Sequence, residues 1–416
     1  MKIAVIGGGV AGIYSAYVLS KEHEVSLFES NPYLGGHTNT IEVQSNNKTQ
    51  AIDTGFIVFN TKNYPYFCEF LEHLGVESQN SDMSFGFYNP HLPFYYSSLG
   101  FKGLFSQKRN LINLKFLNML TEIDRFNKAG LQALEEKSLT GKTLKDFILD
   151  QQFSNYFISH YLLPMGAAIW SCSYKEIALF PAESFLQFWK NHTMLTVGQR
   201  PTWRTVKGGS YSYVNAFKEK FKGKLFLNTP ISGIKRSSNI VTISHKNGTE
   251  IFDAVILATH ADTTLKLLED PSKDEQRLFS KWSYSNNKTI LHTDTSLLPP
   301  KKEAWASWNY LYDPNHKDSV SVTYYMNKLQ NLNDPTPYLV TLNSIQSIRE
   351  EHIIKTIHYT HPIYTFDSMA TQEPISKLSG TNRTYYCGSY LGYGFHEDAV
   401  RSAVEVARKF NLKLKQ

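Results

Sequence analysis

The chain has 416 residues, too many for one ordinary core, so two or more domains are expected. Lysine and arginine number 43 against 37 acidic residues, a net charge of +6 spread along the chain with no dense basic stripe or nucleic-acid-binding motif, which argues against a nucleic-acid partner. Three distant cysteines, Cys68, Cys172 and Cys387, form no CxxC pair, which points to a reducing, cytoplasmic compartment and away from a structural metal site.

The first predicted element is a strand, Ile3 to Ile6, which runs into Gly7-Gly8-Gly9-Val10-Ala11-Gly12. A helix from about Ala11 to Leu19 and a second strand, Val25 to Phe28, follow, and that strand ends on Glu29. Each part has a distinct job. Gly7 permits a tight turn, and Gly9 lets a pyrophosphate approach the backbone. The N–H groups around Val10 and Ala11 are free at the positive end of the helix, and Gly12 lets the helix pack closely on the sheet. Glu29 is placed to accept from a ribose diol. Strand, glycines, helix and an acid about 20 residues on make a dinucleotide-binding unit rather than a stray glycine-rich turn. Lys2 before an apolar run superficially resembles a signal peptide, but the glycines and the lack of a small-x-small cleavage site favour the cofactor reading.

Leu34-Gly35-Gly36-His37-Thr38 continues the cofactor wall. Gln50 to Phe59 reads as a strand interrupted at Asp53-Thr54-Gly55, where Thr54 and Gly55 form either an ordinary tight turn or a cofactor contact. Tyr64 to Arg200 is mainly helical, with helices at Tyr64 to Leu74, Leu114 to Leu134 and Leu144 to Leu149, and a pair of aromatic strands across Phe85 to Tyr96. Its many aromatic residues build core, and the same residues could line a pocket for an apolar ligand. From Trp203 the pattern is α/β again: Ser210 is placed to cap a helix that runs to about Phe221, and strands are expected at Leu225 to Leu227, Ile231 to Lys235, Val241 to Ser244, Glu250 to Phe252 and Ala254 to Thr259, resuming the first sheet. Asp262 to Gln372 carries alternating strands such as Ser319 to Met326 and Tyr338 to Leu342. The chain closes with a strand, Thr384 to Gly388, and a helix from His396 to about Phe410.

No run of about 18 apolar residues occurs, so no spanning helix is expected. Ser98 to Arg109 mixes apolar residues with Lys102, Lys108 and Arg109; it is either a buried hairpin and loop or a patch that rests on an anionic lipid surface. His358-x-x-His361 has loose metal spacing, but on a strand the two histidines face opposite sides, and no metal is expected.

The ordered series Gly7-x-Gly9-x-x-Gly12, Glu29, Gly35-Gly36, Gly208-Gly209-Ser210, Ile256 to Thr259 and the closing Gly388 resembles the flavin amine oxidase superfamily, which includes monoamine oxidases, phytoene desaturases and protoporphyrinogen oxidase. Asp53 to Asn60, Met165 to Ser171, Trp305 to Tyr310 and Gly392 to Asp398 are similar to one branch, the predicted FAD-dependent oxidoreductases associated with cyclopropane-fatty-acyl-phospholipid synthases. The resemblance implies an α/β fold, a Rossmann-like FAD-binding domain of the monoamine oxidase type (residues 1–62, 203–261 and 379–416) interleaved with an α+β substrate domain (63–202, mainly helical, and 262–378, a mixed sheet).

It also implies FAD. Gly7, Gly9, Gly12 and Gly36 would face the pyrophosphate, with Gly35 also in the cofactor wall, Glu29 the adenosine ribose, Ile231 the adenine side, and Gly394-Phe395-His396 the pyrimidine end of the flavin at the last helix. Two positions depart from the superfamily: His37 stands where many members have arginine, and Ser389, after Gly388, stands where an acid is usual. Monoamine oxidases place a lysine near flavin N5, and Lys288 lies in a comparable strand, although a one-residue slip would point it outward. His292 on the same strand and His396 at the helix start are the other catalytic candidates, against structural roles for all three. The implied function is oxidation of an apolar substrate, a fatty-acyl chain or modified phospholipid acyl group, linked to a cyclopropane-synthase-like methyltransferase and possible at the membrane periphery. The alternatives are an amine oxidase and a non-catalytic flavin-containing partner of a lipid methyltransferase.

Overall fold

The computed structural model describes residues 1–45, 48–196, 201–316 and 320–415. Five parallel strands lie in the order Lys224–Phe226, Glu24–Phe28, Lys2–Ile6, Ala254–Leu257, Thr384–Tyr386. Ile3, Val5, Val25, Leu27, Val255 and Ile256 are all fully buried, as continuous apolar runs in a parallel sheet must be when both faces are covered. The helix Val10–Leu19 packs against the closing helix His396–Lys409 on one face. The chain winds outward from Lys2–Ile6 in one direction and later returns to its other side. The carboxyl ends of Lys2–Ile6 and Ala254–Leu257 therefore flank the switch point where ligands bind in doubly wound sheets.

A seven-stranded mixed sheet runs in the order Ile353–Pro362, Tyr284–His292, Leu339–Leu342, Ser321–Tyr325, Trp308–Leu311, Phe85–Asn89, Phe94–Ser97. Its two aromatic strands come from the mainly helical stretch, and Phe85–Asn89 pairs in parallel with Trp308–Leu311. Helices Pro65–Leu74, Leu114–Glu135 and Leu144–Asp150 occur where apolar periodicity placed them. Phe126, Phe157, Phe185 and Trp189 are fully buried among them.

Three expectations need correction. The segments between Ile231 and Phe252 do not join the parallel sheet; Ile231–Arg236, Val241–His245 and Gly248–Phe252 form a separate antiparallel sheet. Their alternation of buried and exposed residues suits one covered face, unlike the continuous burial of Ala254–Leu257. Ser210 sits at the start of helix Tyr211–Lys220 but does not cap it. Its hydroxyl donates to Asp53 Oδ1 at 2.8 Å instead, because the fully buried Asp53 carboxylate demands donors. The strand expected from Ser319 spans Ser321–Tyr325, and Ser319 itself lies outside the described residues.

Candidate cofactor and substrate site

The first strand ends at Gly7, whose φ of +103° and approach to Ala258 O (2.7 Å from a built Cβ) exclude other residues. A side chain at Gly12 would overlap Gly7 O, so the helix can lie against the turn only because Gly12 has none. Gly9 is the opposite case. A Cβ there would meet nothing within 4 Å, and no side chain caps the helix that follows. The N–H groups of Val10, Ala11 and Gly12 thus stand at the positive end of a helix beside open space, which is what a phosphate requires. The second glycine pair closes the far wall: Gly35 N donates to Gly8 O at 2.8 Å, and Gly36 lies against Gly9.

Glu29 lies at the carboxyl end of Glu24–Phe28 with both oxygens engaged. Oε2 accepts from Gly8 N at 2.7 Å, and Oε1 accepts from Asn31 N, Asn31 Nδ2 and Ser30 Oγ at 2.8 to 3.1 Å. The two side-chain donors are the ones a ribose diol can replace. Hydrogen bonds from Thr229 N to Glu29 O and from Asn228 N to Asn31 O bring the start of the strand that opens with Ile231 to this end of the site. The cradle therefore fits a dinucleotide cofactor.

Beyond Gly36 the chain enters a cluster of half-buried imidazoles and phenols. The His37 ring stacks on Tyr359 at 5.1 Å and lies 5.2 Å from His361 and 6.4 Å from His260. His260 in turn stacks on Tyr284 at 4.3 Å. Thr54 Oγ1 and Asn39 Nδ2 both reach Tyr359 Oη, and Gly55 packs on His37 O, so the turn at Thr54-Gly55 braces this wall. His37 is held well below the ordinary imidazole range by burial, then by His361, His260 and His396 around it, so it is uncharged. Its Nε2 is buried without a hydrogen-bond partner, an orphaned polar atom next to the phosphate cradle. Burial also pushes His361 down to about 4 and lowers His260.

The proton on His361 can be assigned from its neighbours. The backbone N–H of Lys288 donates to Asn343 Oδ1 (2.9 Å), so Asn343 Nδ2 donates to Asn287 Oδ1 (2.7 Å), and Asn287 Nδ2 donates to His361 Nδ1 (2.8 Å). His361 therefore accepts at Nδ1 and keeps its proton on Nε2.

At the last helix, His396 stacks on Phe56 with ring centroids 3.6 Å apart, and its Nε2 lies 3.0 Å from Thr38 Oγ1 and 3.3 Å from Tyr213 Oη. Burial pushes it down to about 3. Gly388 N bonds Ser402 Oγ at 2.9 Å, and Ser389 opens a short turn whose carbonyl accepts from Tyr364 Oη. Gly394 has φ +94° against the Tyr364 ring, and Phe395 stacks on Phe188. Glu397, in the first helical turn, accepts from Tyr66 N and Phe67 N at the start of helix Pro65–Leu74.

Two candidates fall away from this cluster. Lys288 is exposed, and the inward position on its strand belongs to Asn287, 1% exposed. This is the one-residue offset that strand alternation makes decisive. His292 is fully buried and satisfied, with Nε2 2.7 Å from Thr341 Oγ1 and Nδ1 accepting from Asp294 N, and a bulge between Leu291 and His292 alters the alternation there. Reasoning from the residues missed His260, Tyr284, Asn287, Tyr359 and His361 as one group. The available signals were His260 directly after a buried parallel strand and the period-two spacing of Tyr359 and His361. His358 is exposed and His361 inward, as alternation requires.

Residues 10–410 match the model of the flavin-containing amine oxidoreductase family. No curated protein is matched. Among solved structures, a putrescine oxidase bound to putrescine is 13% identical, with 99% of each chain covered and a TM-score of 0.70. A conjugated-linoleic-acid (CLA)-producing fatty acid isomerase from P. acnes is 15% identical, with 98% of each chain covered and a TM-score of 0.67. A cyclohexylamine oxidase from Brevibacterium oxydans is 12% identical over 99% of each chain, with a TM-score of 0.66. These likenesses establish the fold, a parallel Rossmann-like sheet joined to a mixed sheet. With the family match spanning nearly the whole chain around a cradle that fits a dinucleotide, the protein belongs to the flavin-containing amine oxidoreductases.

Proposed function

We propose that this flavin oxidoreductase uses FAD to remove a hydride from an apolar substrate, a fatty-acyl chain or a modified phospholipid acyl group. FAD, when bound, supplies the two-electron acceptor. The residues suited to hold it are the N–H groups of Val10 to Gly12 and Gly36 for the pyrophosphate, Glu29 for the ribose, Ile231 toward the adenine and the start of the last helix toward the flavin ring. The orphaned Nε2 of His37 would take the phosphate or ribityl contact usually made by arginine.

The observation that carries the substrate reading is the neutrality of the histidine cluster. His37, His260, His361 and His396 are all shifted toward the uncharged form, and tyrosines surround them. The carboxylates that act on these groups are already engaged. Asp53 accepts from Ser210, Thr40 and Gln330; Asp262 pairs with Lys266 at 2.7 Å; Asp398 pairs with Arg401 at 2.7 Å. An ammonium substrate would find no free anion in this cluster, whereas an acyl chain needs none. Aromatic rings line the cluster, and His361, fixed as an Nε2–H donor, can hold a neutral oxygen or ring atom without bringing charge. The fatty acid isomerase of the same fold acts in lipid chemistry, and the branch motifs around Trp305 and Gly392 support a functional link to a cyclopropane-synthase-like methyltransferase.

The second reading, an amine oxidase, is favoured by the likeness to putrescine and cyclohexylamine oxidases. Anaerobic stopped-flow mixing of the flavin-loaded protein with unsaturated or methylated phospholipids, and separately with putrescine and cyclohexylamine, decides between them. Flavin bleaching by the lipids is expected; bleaching by amines alone overturns the proposal. Deleting the gene and profiling membrane fatty acids by mass spectrometry tests the methyltransferase link.

A further inference from the structure

From the end of strand Phe85–Asn89 to the start of helix Leu114–Glu135, the chain builds a surface that the site does not use. Leu92, Phe101, Leu111, Ile112 and Leu114 are all exposed, Ile112 and Leu114 at 82% and 80%. Among the described residues the other exposed large apolar side chains are scattered singly along the chain, as on any protein surface. Between Asp82 and Glu122 there is no acidic residue at all, while Lys102, Lys108, Arg109 and Lys115 are exposed. Among the described residues none of these four cations enters an ion pair.

The exposure is built and anchored. Asn110 is fully buried and its Nδ2 donates to Tyr95 O and Leu104 O. Gln107 accepts from Tyr95 N and donates to Pro93 O, which Arg109 also reaches. Phe105 and Phe94 pack on Phe116 beneath. These bonds hold the Leu92 turn, the short helix Gly100–Leu104 and the 3-10 turn Lys108–Ile112 together, with apolar side chains outward and cations interleaved. Lys301 Nζ donates to Ser106 O, which adds another cation at the edge.

We infer that this surface docks on an anionic phospholipid bilayer, with the five apolar side chains entering the headgroup and acyl boundary and the lysines and arginine meeting lipid phosphates. Charge complementarity selects that occupant. An apolar protein partner needs no ring of unpaired cations, and nucleic acid gains nothing from exposed Ile112 and Leu114; a bilayer uses both features. No described helix is long and apolar enough to cross a membrane, so the contact is peripheral. The inference does not rest on the proposed substrate, because docking is read without turnover.

The test is co-sedimentation of the flavin-loaded protein with vesicles of phosphatidylcholine alone or mixed with phosphatidylglycerol. Binding is expected only to the anionic vesicles, weakening as salt rises from about 0.1 M to about 1 M. Lys102→Gln and Lys108→Gln should each lower binding about fivefold, and the double variant Ile112→Asp/Leu114→Asp should abolish it. Leu149→Asp, exposed on a different helix, should bind like the wild type. Thermal midpoints and flavin content confirm that each variant is folded, and the lysine variants keep the test valid if the double variant is not. Equal binding to neutral and anionic vesicles, no binding to either, or wild-type binding by the lysine and double variants overturns the inference. So does a wild-type dimer that Ile112→Asp dissolves, since a second copy would then be the occupant.

Discussion

Replacing His396 with phenylalanine should reverse the sign of its effect on stability between neutral and acidic pH. The His396 ring stacks on Phe56 with planes 8° apart and meets the edge of Phe67 at 5.6 Å, contacts that a phenyl ring preserves. The loss is at Nε2, which faces Thr38 Oγ1 and Tyr213 Oη. Those two hydroxyls also bond each other at 2.6 Å, so neither is left without a partner. At about pH 7.5 the variant should therefore be less stable by about 1 kcal/mol, the net worth of one such bond. The imidazole sits near 3 when folded, from burial, against about 6.5 when unfolded. Because the folded value is the lower, the contribution of the neutral imidazole is complete above about pH 6.5 and is lost progressively as pH falls toward the folded value. At about pH 5 the unfolded wild type holds a proton the folded chain refuses, which costs about 2 kcal/mol that the variant escapes. The deficit of about 1 kcal/mol should become an advantage of similar size. Urea unfolding of both proteins at the two pH values, with flavin content matched, measures this directly. A stability difference that is the same at both pH values refutes a His396 held neutral in the fold.

Gly9→Ala should leave the thermal midpoint unchanged, since its Cβ meets nothing, yet weaken flavin retention about tenfold or more, whereas Gly12→Ala should destabilise the fold by overlap with Gly7 O; calorimetry and flavin absorbance on both variants check the contrast. Glu275 binds the Arg236 guanidinium with both oxygens (2.5 and 2.9 Å) and accepts from Tyr386 Oη, and the Arg236 side chain, 2% exposed, would keep only Asp270 (2.9 Å) as a carboxylate partner, so Glu275→Gln should cost about 1.5 to 3 kcal/mol. A loss below about 1 kcal/mol in urea unfolding would contradict that network. Lys288→Ala should leave the rate of flavin reduction by substrate within about twofold of wild type, while Asn287→Leu, which removes the donor that fixes His361, should slow it about tenfold or more; equal effects of the two would place the wrong residue of the strand at the site.

The phosphate cradle was legible because its demands are local. A tight turn, a bare helix end and a close helix–sheet approach each act within a few residues, and Gly7, Gly9 and Gly12 meet them in one short segment. The histidine cluster was not legible, because its members come from four separate places. His37 follows the glycine pair, His260 lies just past a parallel strand at the start of the helix Ala261–Leu267, His361 lies on the edge strand of the other sheet, and His396 opens the last helix. Strand alternation constrained Lys288 and Asn287 equally well until pairing with Ile353–Pro362 set which of them faces inward. Ser210 illustrates a different limit: its helix-start position predicts a cap, but a buried carboxylate 157 residues away in sequence makes the stronger claim on its hydroxyl. The antiparallel sheet of Ile231 to Phe252 was misplaced because short strands show existence better than partners.

The two halves of the site use opposite electrostatics, and the sheet's switch point is where they meet. On the side of Lys2–Ile6, free N–H groups and an uncapped helix end create a positive potential without any charged side chain, so phosphate can be held with little desolvation of lysine or arginine. On the side of Ala254–Leu257 and the mixed sheet, burial keeps four imidazoles uncharged and tyrosines protonated. A residue that bridges the halves must serve both conditions, and His37 does: a neutral imidazole can donate to a phosphate oxygen without adding a permanent cation beside the uncharged cluster, which an arginine at that position would do. His37→Arg should therefore tighten flavin retention while drawing a charge into the pocket, slowing reduction by apolar substrates and easing the entry of carboxylates. Retention and reduction rates that move together would instead show that the cradle and the pocket are a single electrostatic environment.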